Sequence, residues 1–343
     1  LKMEGNQIIA TDLNSYVNRR KLAKFKGLVN IKFGNLLDEN FLKEISQNVD
    51  STIHLAAIIP PLADEKTELA RKVNVFGTQN LIKALEINSP NSFFVYCSSI
   101  SVYGDRLASP YIHVTDPLCA SLGDHYAETK IETEQIVQKC KLNWSIFRLT
   151  AVFGYGNHKI SKLMFHMPLQ TPIEMITPAD AGRAFALSTK HLDEINKKIF
   201  NLTGGENCRI IYEDFLKKSF YIYGLKKFLL PKSAFAQKNF HCAFVADGNE
   251  LEDILHFRKD SIEEYFRKNE LKISGFVRFW AGVFSGIYQK ILISKSEPLK
   301  ALKNFEIENL RRFFGNKISI DWVWLKKVNL NILIWAFNHL LVQ

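Results

Sequence analysis

Tyr126 and Lys130 stand four residues apart in Tyr126-Ala127-Glu128-Thr129-Lys130, inside a stretch from His125 to Cys140 whose apolar spacing reads as a helix. Residues at i and i+4 share one helix face, which sets a phenol beside an ammonium. Tyrosine, with an ordinary pKa of about 10, is a poor base at neutral pH. A cation a few ångströms away lowers the energy of the phenolate. The pair is therefore a candidate acid/base for moving a proton at an oxygen. Upstream, Phe93 to Ser98 is an apolar strand that runs into the hydroxyl-rich loop Ser98-Ser99-Ile100-Ser101. Such a loop opens at a strand's carboxyl end.

The elements that must position these groups alternate in type. Gln7–Thr11, Val29–Phe33, Ser51–Ala57 and Phe93–Ser98 are short buried-strand candidates, and Trp144–Val152 is a further β-rich segment. Helical stretches lie between them, notably Glu68–Asn88 and His125–Cys140. Parallel neighbours need crossovers, so this alternation implies an α/β fold with a doubly wound parallel sheet covered on both faces. Ligands of such sheets bind beyond the strands' carboxyl ends. Beyond Gly154 the regularity breaks into shorter pieces containing Pro168, Pro172 and Pro178, as expected of a smaller lobe that covers a substrate. Met164, Phe165, Met167 and Leu169 read as core there, and His158 and His166 as isolated histidines.

At 343 residues, 47% hydrophobic and 23% charged, the chain excludes a stapled mini-protein, a disordered chain and a polytopic membrane protein. Its five cysteines, Cys97, Cys119, Cys140, Cys208 and Cys242, form no C-x-x-C pair, so neither a disulfide framework nor a zinc knuckle is indicated. A reducing cytoplasm is expected, and no metal site is. Residues 271–343 hold eleven basic against four acidic residues, which leaves them +7 of the chain's +10, and four of its five tryptophans. Basic residues interleaved with bulky aromatics suit a lipid headgroup region or an oligomer contact, and no nucleic-acid-binding pattern is present. The run Ile273–Ile293 is broken by Arg278 and Lys290, and Val328–Val342 falls short of the ~20 residues of a span. Peripheral membrane contact is expected of this tail, without a crossing. Gly282 and Gly286 read as ordinary helix packing.

The Ser98-Ser99-Ile100-Ser101-Val102-Tyr103-Gly104 segment, placed before Tyr126-x-x-x-Lys130, resembles the extended short-chain dehydrogenase/reductase superfamily, specifically its NAD-dependent epimerase/dehydratase family. Members carry S-S-x-x-V-Y-G before Y-x-x-x-K. More of the pattern is in register: His54-Leu55-Ala56-Ala57, Asn74-Val75-x-Gly77-Thr78 and Arg148-Leu149-x-x-Val152-Phe153-Gly154-x-Gly156. Asp180-Ala181-x-Arg183-Ala184 and Asn201-Leu202-x-Gly204-Gly205 continue it. The resemblance spans roughly Gly5 to Asn269. It implies a Rossmann-like dinucleotide-binding domain over 1–153, a substrate lobe over 154–270 interleaved with the end of the sheet, and leaves 271–343 as a helical tail.

Carried over residue by residue, the resemblance implies that Tyr126 is the catalytic acid/base, that Lys130 also holds the nicotinamide ribose, and that Ser99 donates to the substrate oxygen. Of the two adjacent serines, Ser99 matches by standing four before Tyr103. Hydride transfer interconverts a carbonyl and an alkoxide, so donors aimed at that oxygen meet charge where it develops. Asp12 would accept from the adenosine ribose hydroxyls, Asn35 and Leu36 would border the adenine, and Ala56, Ala57 and Asn74 would line the cofactor trough. As residues, Asp12 also reads as a turn or cap, and Ala56 and Ala57 as small core residues. NAD is the expected cofactor because a carboxylate repels a 2′-phosphate, while Arg19 and Arg20 keep NADP open. None of the 17 glycines lies in a G-x-G-x-x-G pattern. A strand and glycine loop are therefore expected ahead of Leu1, with Leu1–Gly5 the end of a helix.

Ile100 and Ser101 occupy the positions of the acidic pair usual in the family's dehydratases, which disfavours dehydration. Ala151, three after Arg148, replaces the Asn with which relatives help hold a nucleotide sugar's diphosphate. The expected activity is hydride transfer at a carbonyl or secondary alcohol of a sugar-like or other small substrate. The alternatives are a membrane-associated reductase or dehydrogenase of a lipid or steroid-like alcohol, and a non-catalytic dinucleotide sensor. The resemblance also implies a homodimer through Glu68–Asn88 and His125–Cys140.

Overall fold

The structure is a computed structural model that describes residues 5–154, 162–225 and 227–315. Its strands in chain order are β1 (Ile9–Asp12), β2 (Asn30–Phe33), β3 (Ser51–His54), β4 (Phe93–Ser99), β5 (Tyr111–Ile112), β6 (Asn143–Leu149), β7 (Ala151–Val152), β8 (Pro172–Ile176), β9 (Lys198–Leu202), β10 (Arg209–Ile211) and β11 (Phe244–Val245). The central sheet is parallel throughout, in the order β3-β4-β6-β9. Side chains alternate across a strand, and β4 shows what that does here. Phe93 and Val95 face a core layer with Phe147, Phe185, Phe200 and Leu255, whereas Phe94 and Tyr96 face one with Leu81, Leu85, Val137 and Ile146. Both faces are covered, which is the α/β Rossmann-like architecture expected of a near-continuous apolar strand. A separate parallel pair, β1-β2, packs its following helix, Glu39–Ile45, onto helix Thr78–Asn88 through Leu42. Among the described residues β1 pairs only with β2 and β3 only with β4, so each keeps one unpaired edge.

Two elements differ from the sequence expectation. The strand beginning at Ser51 ends at His54, because Leu55-Ala56-Ala57 leaves the sheet. Glu68–Asn88 is interrupted: helix Thr67–Arg71 passes through a wide π-turn at Lys72–Gly77 into helix Thr78–Asn88. π-Turns concentrate at functional sites, and this one carries Asn74. Gly77 on the same turn permits a close approach, since a Cβ there would lie 3.1 Å from Leu36 Cβ.

A second body of structure follows the sheet. β7, β8 and β10 form a three-stranded sheet backed by an aromatic core that includes Phe165, Tyr212, Phe215, Phe235 and Tyr265. Phe165 and Leu169 are buried in it, with Met164 and Met167 against it. Beyond residue 271, Leu292 enters that core. Helices Glu297–Asn304 and Ile307–Phe314 pack on Ala236 through Ala301, Leu310, Phe313 and Phe314.

Candidate active site

Helix His125–Lys139 presents Tyr126 and Lys130 to the carboxyl end of β4. Its start is fixed by two carboxylates. Asp124 caps it by accepting from Ala127 N at 2.9 Å, and Asp64 accepts from Tyr126 N. Asp124 also meets His241 Nδ1 at 2.8 Å. Burial pushes the Asp64 carboxyl up, and Asp124 beside it pushes the same way. One turn in, Lys130 is 2% exposed, and its Nζ donates to Cys97 O at 2.7 Å. The ammonium lies 4.7 Å from the Tyr96 ring centroid and 5.6 Å from that of Tyr126. Ser99 closes β4, accepts from Ser101 N at 3.1 Å and sets its hydroxyl beside the Tyr126 phenol. Hydroxyl, phenol and ammonium therefore converge.

The electrostatics correct one expectation. Tyr126 is not drawn towards phenolate: burial pushes its phenol up, Cys97 adds to that, and the Ser99 hydroxyl opposes it only in part. Lys130 spends its nearest contact on Cys97 O, and burial lowers its own affinity for a proton. Enclosure outweighs the neighbouring cation. In this state the pair is a protonated phenol beside a buried lysine whose Nζ is held by Cys97 O.

Beneath the trio lies a polar network missed by the sequence reading. Ser98 and Arg148 are register partners on β4 and β6, and both point at Glu134. Ser98 Oγ donates to Glu134 Oε1 at 2.5 Å, and Arg148 holds the same carboxylate through Nε and a second nitrogen at 2.8–3.2 Å. Arg148 also donates to Tyr103 OH, which donates to Asn201 Oδ1, both at 2.8 Å. Asn201 in turn donates to Asp247. Burial works against the Arg148 charge, but Glu134 more than offsets it and keeps the guanidinium protonated. The one signal in the sequence is that Glu134 follows Tyr126 by eight and Lys130 by four, and so shares their helix face. The loop between Ser99 and Tyr103 closes at Gly104, whose φ is +66°; a Cβ there would collide with Cys119 O.

The remaining site residues lie along the carboxyl ends of β1, β2 and β3. Asp12 is exposed, and its Oδ1 accepts from Leu13 N at 2.7 Å and Asn18 Nδ2 at 2.9 Å, as a turn former does. Asn35 is exposed and accepts from Leu37 N, while Leu36 is half-buried beside Gly77. Ala56 is exposed and Ala57 half-buried. Neither is a closed core residue. Asn74, in contrast, is buried and points its carboxamide at protein: Oδ1 accepts from Ile58 N at 2.7 Å, and Nδ2 donates to Ile58 O and Thr129 Oγ1, each at 3.0 Å. It ties the Ala56–Ile58 segment to the Tyr126 helix.

His54, not singled out among the site residues, is the other buried group here. Its pKa is held down to about 3 by burial and by the Lys130 charge, so the ring is neutral. Thr78 donates its hydroxyl to Asn74 O, so at 2.9 Å His54 Nε2 is the donor to Thr78 Oγ1. From the far end of the chain, Glu297 meets Lys162 at 3.0 Å, which also holds Glu65 at 3.1 Å, and His166 at 2.6 Å, whose ring lies 4.9 Å from that of Phe313 between centroids. His158, Trp322, Trp324, Trp335 and Val328–Val342 lie outside the described residues. A polar cleft of about 440 Å³ lined by Gly204, Gly205, Arg258 and Asp260 includes none of the expected site residues.

Comparison with known proteins gives a family model, the NAD dependent epimerase/dehydratase family, that matches residues 1–189. The chain is 31% identical over 142 residues to an uncharacterized protein of Sinorhizobium fredii, a match covering 40% of this chain and 34% of that protein. It is 28% identical over 137 residues to N-acetyl-alpha-D-glucosaminyl-diphospho-ditrans,octacis-undecaprenol 4-epimerase of Escherichia coli O157:H7, covering 37% and 38%. The chain thus spans about a third of the length of these curated relatives. In fold it is similar to UDP-glucuronic acid 4-epimerase from Bacillus cereus, solved with UDP-glucuronic acid and NAD. The TM-score there is 0.65 at 16% identity, over 81% of this chain and 93% of that one.

Proposed function

Because the chain belongs to the NAD dependent epimerase/dehydratase family, we propose that it acts as an NAD-dependent oxidoreductase that moves a hydride between the cofactor and a carbonyl or secondary alcohol of a sugar-like substrate. The observation that carries this reading is the meeting of Ser99, Tyr126 and Lys130 at the carboxyl end of β4.

The donor set fits a dinucleotide. Lys130 is buried with one hydrogen-bond acceptor among the described residues, Cys97 O, so two N–H groups are left for ribose hydroxyls. Ala56 and Ala57 leave the rim of β3 open for a cofactor to pass, and Asn74 holds that rim through Ile58. Asp12, with its second carboxylate oxygen, would accept from the adenosine ribose, beside Asn35 and Leu36 at the adenine. When bound, NAD supplies the hydride acceptor or donor. The chain supplies the rest: Ser99 donates to the substrate oxygen, and the Tyr126 phenol gives that oxygen a proton during reduction, while in oxidation the Tyr126 phenolate takes the proton from the alcohol. Lys130 keeps positive charge next to the phenol as it ionises. A homodimer through helices Thr78–Asn88 and His125–Lys139 completes the proposal, and sedimentation tests it.

The functional test incubates the full protein with NAD and a panel of nucleotide sugars and secondary alcohols, and follows absorbance at the reduced-nicotinamide band. A change with some member of the panel, reduced about 10²–10⁴-fold by Tyr126→Phe, supports the reading. NAD binding with no change for any substrate would assign the protein to sensing.

A further inference from the structure

Helices Gly275–Val283 and Ser285–Ile293 follow one another with only Phe284 between them; the first buries no residue and meets the core only through half-buried Ala281, and the second buries one side. On that side Gln289 donates to Lys227 O and accepts from Leu229 N, and Leu292 enters the core. The opposite side is a ridge of large apolar groups. Phe276, Phe279, Trp280, Val283, Phe284 and Ile287 fall at i, i+3, i+4, i+7, i+8 and i+11, the spacing of one helix face, and each is 43–74% exposed. With roughly 150–250 Å² per aromatic side chain, these six leave on the order of 700 Å² of apolar surface to solvent. The largest patch of an ordinary monomer is about 300–600 Å².

The charge pattern selects the occupant. From Leu271 to Lys295 there are four cations, Lys272, Arg278, Lys290 and Lys295, and no aspartate or glutamate. Arg278 pairs with Glu270 on the preceding helix. A two-fold contact with a second copy would bring these cations against their own images. An anionic bilayer takes the apolar face into the acyl boundary and the cations at the headgroups together, with Trp280 and Tyr288 at the depth their amphipathic rings prefer. Among the described residues no helix is long and apolar enough to cross a membrane. We propose that this ridge lies in the plane of an anionic lipid bilayer and holds the protein on its surface.

The test floats the full chain with vesicles of phosphatidylcholine containing phosphatidylserine, and with vesicles of phosphatidylcholine alone. Wild type is expected to float with the anionic vesicles and at least about ten-fold less with the neutral ones. The variant Phe276→Ser/Phe279→Ser/Ile287→Ser, its fold verified by an unchanged urea midpoint, is expected to lose flotation by a similar factor. Because the basic residues beyond 315 remain in that variant, unchanged flotation would assign binding to them and overturn the proposal. So would failure of wild type to float. A wild-type dimer that the variant converts to a monomer, without vesicle binding by either, would assign the ridge to a second copy instead.

Discussion

Removing the Glu134 carboxylate should cost far more than a surface ion pair does. Glu134 and Arg148 have side chains 0% and 4% exposed, and the guanidinium makes three contacts of 2.8–3.2 Å to that carboxylate. In Glu134→Ala, Arg148 keeps only Tyr103 OH and Val114 O as acceptors for its five N–H groups. Ser98 also loses its acceptor. Breaking a buried pair from one side costs about 3–5 kcal/mol, because the charge left behind is unpaired, whereas exchanging both partners for apolar groups of similar volume is often nearly neutral. With a urea slope of about 3 kcal/mol/M, the midpoint of Glu134→Ala should fall by roughly 1–1.7 M. Glu134→Leu/Arg148→Met should regain most of that. Activity separates stability from positioning: the apolar double variant frees Ser98 and should lower turnover at Ser99 although it is folded. A loss under about 1 kcal/mol in the single variant, or a double variant as unstable as both singles added, would refute this reasoning.

Three further outcomes follow from the same geometry. His54 is held down to about 3 against an unfolded value of 6.5, so the unfolded chain takes this proton first. Its contribution is full above pH 6.5 and is lost as pH falls towards 3, by up to about 1.4 kcal/mol per pH unit; urea midpoints of His54→Asn across pH 4–7 should show a flatter profile than wild type. Glu297 is held down to about 2, first by its hydrogen bond from His166 and further by Lys162, so its contribution is present above its ordinary 4.5 and fades as pH falls towards 2. Solvent screening limits that contribution to about 1 kcal/mol, and Glu297→Gln should remove the corresponding slope. Gly104→Ala must accept a φ of +66° and displace Cys119 O, for a loss of at least about 1–3 kcal/mol read in the same urea titration, together with slower turnover because the Ser99 loop shifts.

How far the chain could be read without coordinates depended on the range of each interaction. Tyr126 and Lys130 were legible because helix periodicity alone places them on one face, and β4 because the apolar run Phe93–Cys97 ending in serines reads as a buried strand. Ser99 was legible from its place at the end of that run. The direction of the Tyr126 shift was not, since it depends on how much protein encloses the phenol and on where Lys130 aims, and Cys97 O is 33 positions away in sequence. The Ser98–Glu134–Arg148 cluster was also hidden, because it exists only through the register of β4 on β6. Asn74 was recognised within a motif, but its bonds to Ile58 and Thr129 depend on a π-turn that no local periodicity announces. The apolar ridge of residues 275–293 was readable as composition. Which of its sides is covered required Gln289 and Leu292 to be seen docking.

The measurement that bears most directly on the central claim is a single turnover with a substrate deuterated at the reacting carbon, with label on the nicotinamide read by mass spectrometry. The full protein should transfer deuterium to NAD, and Tyr126→Phe should transfer it about 10²–10⁴-fold more slowly while binding NAD as tightly. Equal transfer rates in the two proteins would contradict the assignment of Tyr126 as the proton carrier.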